Sequence, residues 1–195
     1  MADAERLLEE VGAVLHGHFL LSSGLHSAIY VEKFQLVQRP AITVELCRGL
    51  VQHFLGDSVS TVAGPTTGGA ILSFEFARQL DARSIFAEQS ADGGREFRRG
   101  FMIEPGERVL VVDDVMTTGA SVRHTVEAVR ALGGEVVGAG LLVDRSGGRS
   151  DVGTPVRAAL TLDIPAYEPD DCPECAAGAP LTKRGTSRTR SRSGA

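Results

Sequence analysis

Residues 108–122, RVLVVDDVMTTGASV, constrain the fold more than any other part of the chain. Four apolar residues, Val109, Leu110, Val111 and Val112, run into two adjacent carboxylates, Asp113 and Asp114. A short loop of mostly small and hydroxylated residues follows, Met116-Thr117-Thr118-Gly119-Ala120-Ser121, and then an amphipathic helical pattern begins. A continuous, β-branched apolar run reads as a strand buried on both faces of a parallel sheet. Open α/β sheets bind their ligands at the carboxyl ends of such strands. Backbone N–H groups of a small-residue loop at a helix N-terminus suit a phosphate, and threonine and serine hydroxyls add donors. Two carboxylates beside that cradle can accept hydrogen bonds from the vicinal hydroxyls of a ribose. A carboxylate pair followed by a phosphate loop therefore describes a ribose 5-phosphate site.

The rest of the chain alternates strand and helix patterns. Leu7, Leu8, Val11, Val14 and Leu15 share one helical face over residues 3–15. Residues 19–27 and 29–31 read as extended, interrupted at Ser23-Gly24. Helical spacing returns after Pro40 with Ile42, Leu46, Leu50 and Phe54. Strands are expected at 59–63, 83–88, 109–112 and 135–143, helices at 70–80 and 121–132, and an edge strand within 155–164. Residues 88–101, EQSADGGREFRRGF, are polar and glycine-rich and read as a mobile loop. The βαβ rhythm predicts a mostly parallel central sheet flanked by helices, within one domain over residues 1–181.

Charge is unevenly distributed. The 195 residues carry a net −5, yet residues 182–195 hold five cations and no acid. Residues 1–181 carry 15 Lys and Arg against 25 Asp and Glu, a balance of −10. So acidic a body makes a broad nucleic-acid surface unsuited, and the Arg/Ser-rich tail, 182–195, reads as a disordered basic segment. No apolar stretch is long enough to span a bilayer, and the acidic N-terminus is unlike a signal peptide, which predicts a cytoplasmic protein. Three cysteines, Cys47, Cys172 and Cys175, form no disulfide framework. The CPEC element supplies two thiols where a structural zinc needs four ligands, so it reads as a tight turn, with metal or redox use as the alternative. His16, His18 and His26 read as loop histidines without a catalytic role.

Residues 108–122 resemble the phosphoribosyl-pyrophosphate (PRPP) signature of the type I phosphoribosyltransferases. The resemblance implies that Asp113 and Asp114 hold the ribose hydroxyls and that Met116, Thr117, Thr118, Gly119, Ala120 and Ser121 wrap the 5′-phosphate. The loop Gly64-Pro65-Thr66-Thr67-Gly68-Gly69 resembles the family's pyrophosphate loop, which implies PRPP contacts from Thr66, Thr67, Gly68 and Gly69; its glycines also permit close backbone approach. The pattern around Phe19-Leu20-Leu21-Ser22-Ser23-Gly24 resembles the hood of the orotate-specific branch, mainly residues 10–40 with 155–181. By that resemblance Ser23, Gly24, Thr117 and Arg145 face orotate, Arg145 offering a bidentate guanidinium to its carboxylate. The family's basic loop matches residues 88–101, where Arg95, Arg98 and Arg99 become candidates for neutralising pyrophosphate; Arg95 stands nearest the relatives' lysine.

The resemblance implies a type I phosphoribosyltransferase fold and a transfer of ribose 5-phosphate from PRPP to orotate, giving orotidine 5′-monophosphate in UMP biosynthesis. It implies Mg²⁺ held through PRPP rather than by direct protein ligands, and a homodimer. Two other readings stay open: the same fold acting on another base, or a phosphoribosyltransferase-fold RNA-binding regulator with weak catalysis.

Overall fold

The computed structural model describes residues 2–21 and 23–184. Among these, two compact units result, one from residues 2–13 and 32–163, the other from 14–21, 23–31 and 164–184.

The larger unit carries a six-stranded sheet. Its chain runs α1 (Ala2–Glu10), α2 (Phe34–Val37), α3 (Pro40–Val51), β3 (Thr61–Pro65), α4 (Gly68–Leu80), β4 (Arg83–Gln89), β5 (Arg95–Glu96), β6 (Arg108–Met116), α5 (Ala120–Ala131), β7 (Glu135–Asp144) and β8 (Val156–Thr161). Strands β1 (Val14–Leu20) and β2 (His26–Val31) belong to the smaller unit, with the short α6 (Pro173–Ala176) and β9 (Thr182–Lys183). The sheet order is β5-β4-β3-β6-β7-β8, and every neighbouring pair is parallel except β4–β5. The expected mostly parallel sheet is therefore observed, with β8 as its edge.

Alternate strand residues point to opposite faces. On one face Val109, Val111, Ala139 and Leu141 pack with Val122, Val126 and Val129 of α5. On the other, β7 has Gly138 and Gly140, where a Cβ would lie 3.1 Å from the Phe54 ring and 3.2 Å from that of Phe76. Small residues in β7 thus admit two aromatic rings close to the sheet. Phe76, Leu72 and Val62 are fully buried.

Several boundaries differ from the sequence reading, each for a local reason. The first helix stops at Glu10 and not at residue 15. Gly12, at φ +68°, ends it in the left-handed conformation, with the Gly12 N–H donating to the Glu9 carbonyl and the Ala13 N–H to that of Leu8. Val14 and Leu15 enter β1, where pairing with Val31 and Tyr30 outweighs their helical spacing. Residues 88–101 are partly ordered: Gln89 pairs with Arg95 across a turn in which Asp92 Oδ1 accepts the Gly94 N–H. Phe97 and Phe101 pack against the core, and the Phe101 ring lies 5.0 Å from that of Phe86, edge to face.

In the smaller unit β2-β1-β9 form a three-stranded sheet, β1 antiparallel to β2 and parallel to β9. Thr182 and Lys183 pair with Phe19 and Leu20, so the segment expected to be disordered begins as a strand; residues 185–195 lie outside the described residues, as does Ser22. His18 and His26 are buried side chains, not loop histidines, and CPEC forms the single turn of α6 with Cys172 at its N-cap. Cys47 is separate from them, enclosed in α3, where burial foremost and the Glu75 carboxylate next push its thiol up to about 12.

Candidate active site

The strand order dictates where a ligand can bind. From β3 the chain moves to β4 on one side; from β6 it moves to β7 and β8 on the other. The order therefore reverses between the adjacent strands β3 and β6, and such a switch point opens a crevice at the strands' carboxyl ends. The loops entering α4 and α5 leave from those ends.

The first loop is shaped by the absence of β-carbons. A Cβ on Gly64 would lie 2.0 Å from the Gly69 carbonyl oxygen, and one on Gly69 would lie 2.8 Å from the Val112 carbonyl oxygen. The chain thus folds back on the start of α4 and against β6. Between these contacts Thr66 and Thr67 are exposed, joined by a cis peptide bond. The N-terminal N–H groups of α4 have no partner within the helix, and its dipole directs positive potential at an anion.

Strand β6 continues through Asp113 and Asp114 to Met116, so both carboxylates lie inside the strand and not at its end. They are 8% and 1% exposed. Asp113 Oδ1 accepts the Asp114 N–H at 2.9 Å, and Asp114 Oδ1 accepts the Val115 N–H at 2.6 Å. Burial, and then the adjacent Asp114 charge, raise the Asp113 carboxyl well above the ordinary aspartate range, against the partial opposition of its backbone hydrogen bond, Lys33 and Arg95. The Lys33 ammonium stands 3.4 Å from Asp114 Oδ2, a buried oxygen that accepts no hydrogen bond. Lys33, just before α2, was not legible as a site residue. Its only sequence signal is that it and Lys183 are the chain's two lysines among 20 basic residues.

The second loop runs from Thr117 to Gly119 into α5. Thr117, Thr118 and Ala120 are exposed, whereas Gly119 is buried at φ +81° as the N-cap. A Cβ there would lie 2.8 Å from Val152, so glycine meets both a steric and a conformational demand. Met116 is a strand residue, 2% exposed, within the core cluster.

Arg95 connects the two loops. One guanidinium nitrogen donates to Ser121 Oγ at 3.1 Å and the other to Thr66 Oγ1 at 3.5 Å. Arg98 and Arg99 are instead engaged by carboxylates, Arg98 with Glu96 and Arg99 with Glu88 at 2.7 Å. Of the three candidate cations, the structure brings Arg95 to the phosphate-type loops.

Arg145 follows β7, its N–H donating to the Met116 carbonyl at 2.8 Å. The turn after it is organised by Asp144, 3% exposed. Asp144 Oδ1 accepts the Ser146 N–H and hydroxyl, both at 2.7 Å, and Oδ2 accepts the Gly148 N–H at 3.1 Å. Ser23 and Gly24 lie in the smaller unit, in the turn between β1 and β2. There the Leu21 N–H donates to the Leu25 carbonyl and Gly24 sits at φ +88°.

Chemically, the larger unit assembles two anion-receiving helix termini, a carboxylate pair and a bridging guanidinium at one end of a parallel sheet. The sequence model of the family described as phosphoribosyl transferase domain matches residues 35–166. The chain is 49% identical to the orotate phosphoribosyltransferase of Caldicellulosiruptor bescii, covering 93% of this chain and 95% of the relative. It is 51% identical to that of Pelotomaculum thermopropionicum, covering 92% and 94%. Among solved structures it is similar to the orotate phosphoribosyltransferase from Aeropyrum pernix, with a TM-score of 0.65 and 30% identity, covering 80% of this chain and 92% of that one. It is also similar to that of Mycobacterium tuberculosis H37Rv in complex with PRPP, with a TM-score of 0.63 and 27% identity, covering 82% and 96%. With the signature loops converging at the switch point and the family model spanning the sheet, this chain belongs to the phosphoribosyltransferase family.

Proposed function

We propose that this chain transfers ribose 5-phosphate from PRPP to orotate, releasing pyrophosphate and forming orotidine 5′-monophosphate, on the route to UMP. The observation that carries this reading is Arg95 touching both Thr66 and Ser121: one cation serves both phosphate-type loops, flanking the ribose carboxylates. High identity to relatives named orotate phosphoribosyltransferase supports the choice of base.

In the transfer, the C1–oxygen bond to pyrophosphate breaks, a bond from C1 to orotate N1 forms, and the N1 proton leaves to the departing pyrophosphate or to water. Positive charge develops on the ribose and negative charge on the leaving group. No protein nucleophile is needed; the residues orient the reactants and stabilise the separating charges. Asp113 and Asp114 accept from the 2′- and 3′-hydroxyls, and the negative charge of the pair favours the cationic sugar. The N–H groups and hydroxyls of Thr117, Thr118 and Ser121 receive the 5′-phosphate. Thr66 to Gly69 receive pyrophosphate, and Arg95 neutralises its growing charge. Arginine stays protonated near neutral pH, so its part is electrostatic and not proton donation. Arg145, with Thr117, orients orotate.

Mg²⁺ fits this donor set. Beyond the Asp113–Asp114 pair the described residues offer no cage of acids, and Asp114 Oδ2 is already faced by the Lys33 ammonium at 3.4 Å, so Mg²⁺ would be held through PRPP oxygens rather than by direct protein ligands. Such a site suits a hard cation that keeps most of its oxygen ligands from substrate and water. When bound, Mg²⁺ supplies charge neutralisation on the pyrophosphate oxygens. The reading also makes the protein a cytoplasmic homodimer.

The test is turnover with PRPP and Mg²⁺ against a panel of orotate, uracil, adenine and hypoxanthine, followed by ultraviolet absorbance. Consumption of orotate alone is the expected result. Turnover of another base, or PRPP binding without any turnover, overturns the assignment.

A further inference from the structure

Away from the carboxylates and phosphate loops, four side chains of the smaller unit converge on one point. His18 projects from β1, His26 opens β2, Cys172 is the N-cap of the single-turn α6 and Cys175 lies within it. One ligating atom from each, two imidazole nitrogens and two sulfurs, lies within 4.8 Å of all the others. His18 Nε2 is 3.0 Å from His26 Nδ1, 3.5 Å from Cys172 Sγ and 3.6 Å from Cys175 Sγ. Cys175 Sγ is 3.2 Å from His26 Nδ1. Tetrahedral zinc, with about 2.0–2.1 Å to nitrogen and about 2.3 Å to sulfur, sets its ligand atoms roughly 3.3–3.8 Å apart. Four of the six pair distances, 3.0–3.6 Å, lie close to that spacing, and the other two are within 4.8 Å.

A second contact orients the ring that lies nearest the others. His18 Nδ1 lies 2.9 Å from the Ala179 carbonyl oxygen, which can only accept, so Nδ1 carries the hydrogen. Nε2 is then the lone-pair nitrogen, and it faces the cluster. This is the outer hydrogen bond that zinc-bound histidines characteristically make. His18, His26 and Cys172 are almost completely enclosed, while Cys175 is exposed and gives the centre a side open to exchange. Buried polar and thiol groups facing one another without a common partner are costly to enclose. A cation at their centre removes that cost.

We infer that His18, His26, Cys172 and Cys175 form a four-coordinate zinc site. Two thiolates with two imidazoles in tetrahedral array select zinc over magnesium or calcium, which require oxygen ligands. Four protein ligands leave no position for substrate, so the site is structural. It crosslinks the β1–β2 hairpin to the segment carrying α6, elements also joined by the His18–Ala179 and Ser27–Pro165 hydrogen bonds, the His26–Tyr167 bridge and the short β1–β9 pairing. The buried apolar residues of this unit are few, Val14, Phe19 and Val31 among the described residues, apart from Cys172 itself. A small unit with so thin a core gains most from a metal staple. His18 and His26 also bracket the turn containing Ser23 and Gly24, so the metal holds both ends of that turn. The inference does not depend on which base the enzyme uses.

The test is the metal content of the full-length chain, purified under reducing conditions and desalted, measured by mass spectrometry of the elements. About one zinc per chain is expected, falling to background in Cys172→Ser and His26→Gln. Because a variant can lose metal by misfolding, the parent protein is also loaded with Co²⁺. Intense visible bands of tetrahedral cobalt, with sulfur-to-cobalt charge transfer in the near ultraviolet, are the expected spectrum. Background zinc in the parent, a weak octahedral cobalt spectrum, full metal retention in both variants, or a Cys172–Cys175 disulfide after thiol alkylation each overturns the site.

Discussion

A β-carbon on Gly68 would fall 1.8 Å from Oδ2 of Asp114. The first residue of α4 and the second acid of β6 therefore meet at a distance only glycine permits, and the Gly64–Gly69 loop is seated directly on the carboxylate pair. Gly68→Ala must push the carboxylate or the helix aside. Overpacking of this kind costs about 1–3 kcal/mol, and misplacing a reacting group by about 1 Å can cost about 100-fold in rate. We expect Gly68→Ala to lose at least that much in kcat/KM for PRPP while the far-ultraviolet circular dichroism is retained.

Arg95 and its neighbours separate by what they touch. Arg95→Ala should lower kcat by about 10²–10³-fold, the range for losing a donor aimed at developing charge. Arg95→Lys should recover part of that loss, since charge survives and the two-pronged contact to Thr66 and Ser121 does not. Arg98→Ala and Arg99→Ala remove exposed ion pairs with Glu96 and Glu88 and should change kcat by less than about tenfold. Steady-state kinetics on the four variants gives the ranking.

Asp144 acts through the turn that presents Arg145. Asp144→Ala leaves the Ser146 and Gly148 N–H groups without their acceptor. The expected signature is a rise of about tenfold or more in KM for orotate with KM for PRPP little changed, since about 1.4 kcal/mol corresponds to each factor of ten. A parallel rise for both substrates would count against this role.

Asp113 ties stability to pH. Its carboxyl is raised from the ordinary 3.8 to about 7 in the folded chain, first by burial and then by Asp114. Between those values the native state holds a proton that the unfolded chain has released. Stability from this group is therefore complete below about pH 4 and lost as pH rises through about 7. Asp113→Asn removes the titration. Its Tm relative to the parent should climb between about pH 4 and pH 7 and level off above that, at about 2–4 °C per kcal/mol for a chain of this size. A difference that stays flat with pH would refute the assignment.

Gly49 offers the opposite case to Gly68. It lies in the last turn of α3, exposed, with nothing within 4 Å of the point where an added β-carbon would sit. Gly49→Ala should stabilise the protein by about 0.5–1 kcal/mol and leave kinetics unchanged, as read by thermal melts and turnover.

The core of the site was legible because it is continuous in sequence. One stretch, residues 108–122, contains strand, carboxylates, loop and helix start, and local propensity and burial agree along it. Arg95 was legible as a positional stand-in, but its contacts with Thr66 and Ser121 span 29 and 26 residues. Lys33 was missed altogether, because nothing near it in sequence predicts Asp114 as its partner. Val14 and Leu15 were misread as helix because period alone cannot weigh Gly12's left-handed turn against pairing with Val31 and Tyr30. His18 and His26 looked like loop residues because their partners, Cys172 and Cys175, come 154 and 149 positions later in the chain.

The sequence by itself determined the alternation of strands and helices, the mostly parallel sheet and the order of the carboxylate pair and the loop that follows it. Each of these depends on side chains within one turn or one strand of one another. Only the tertiary structure decided that the sheet reverses between β3 and β6, that Gly68 seats on Asp114, and that two histidines meet two cysteines. Those outcomes depend on which distant segments become neighbours, and strand pairing and close packing settle that, not local propensity.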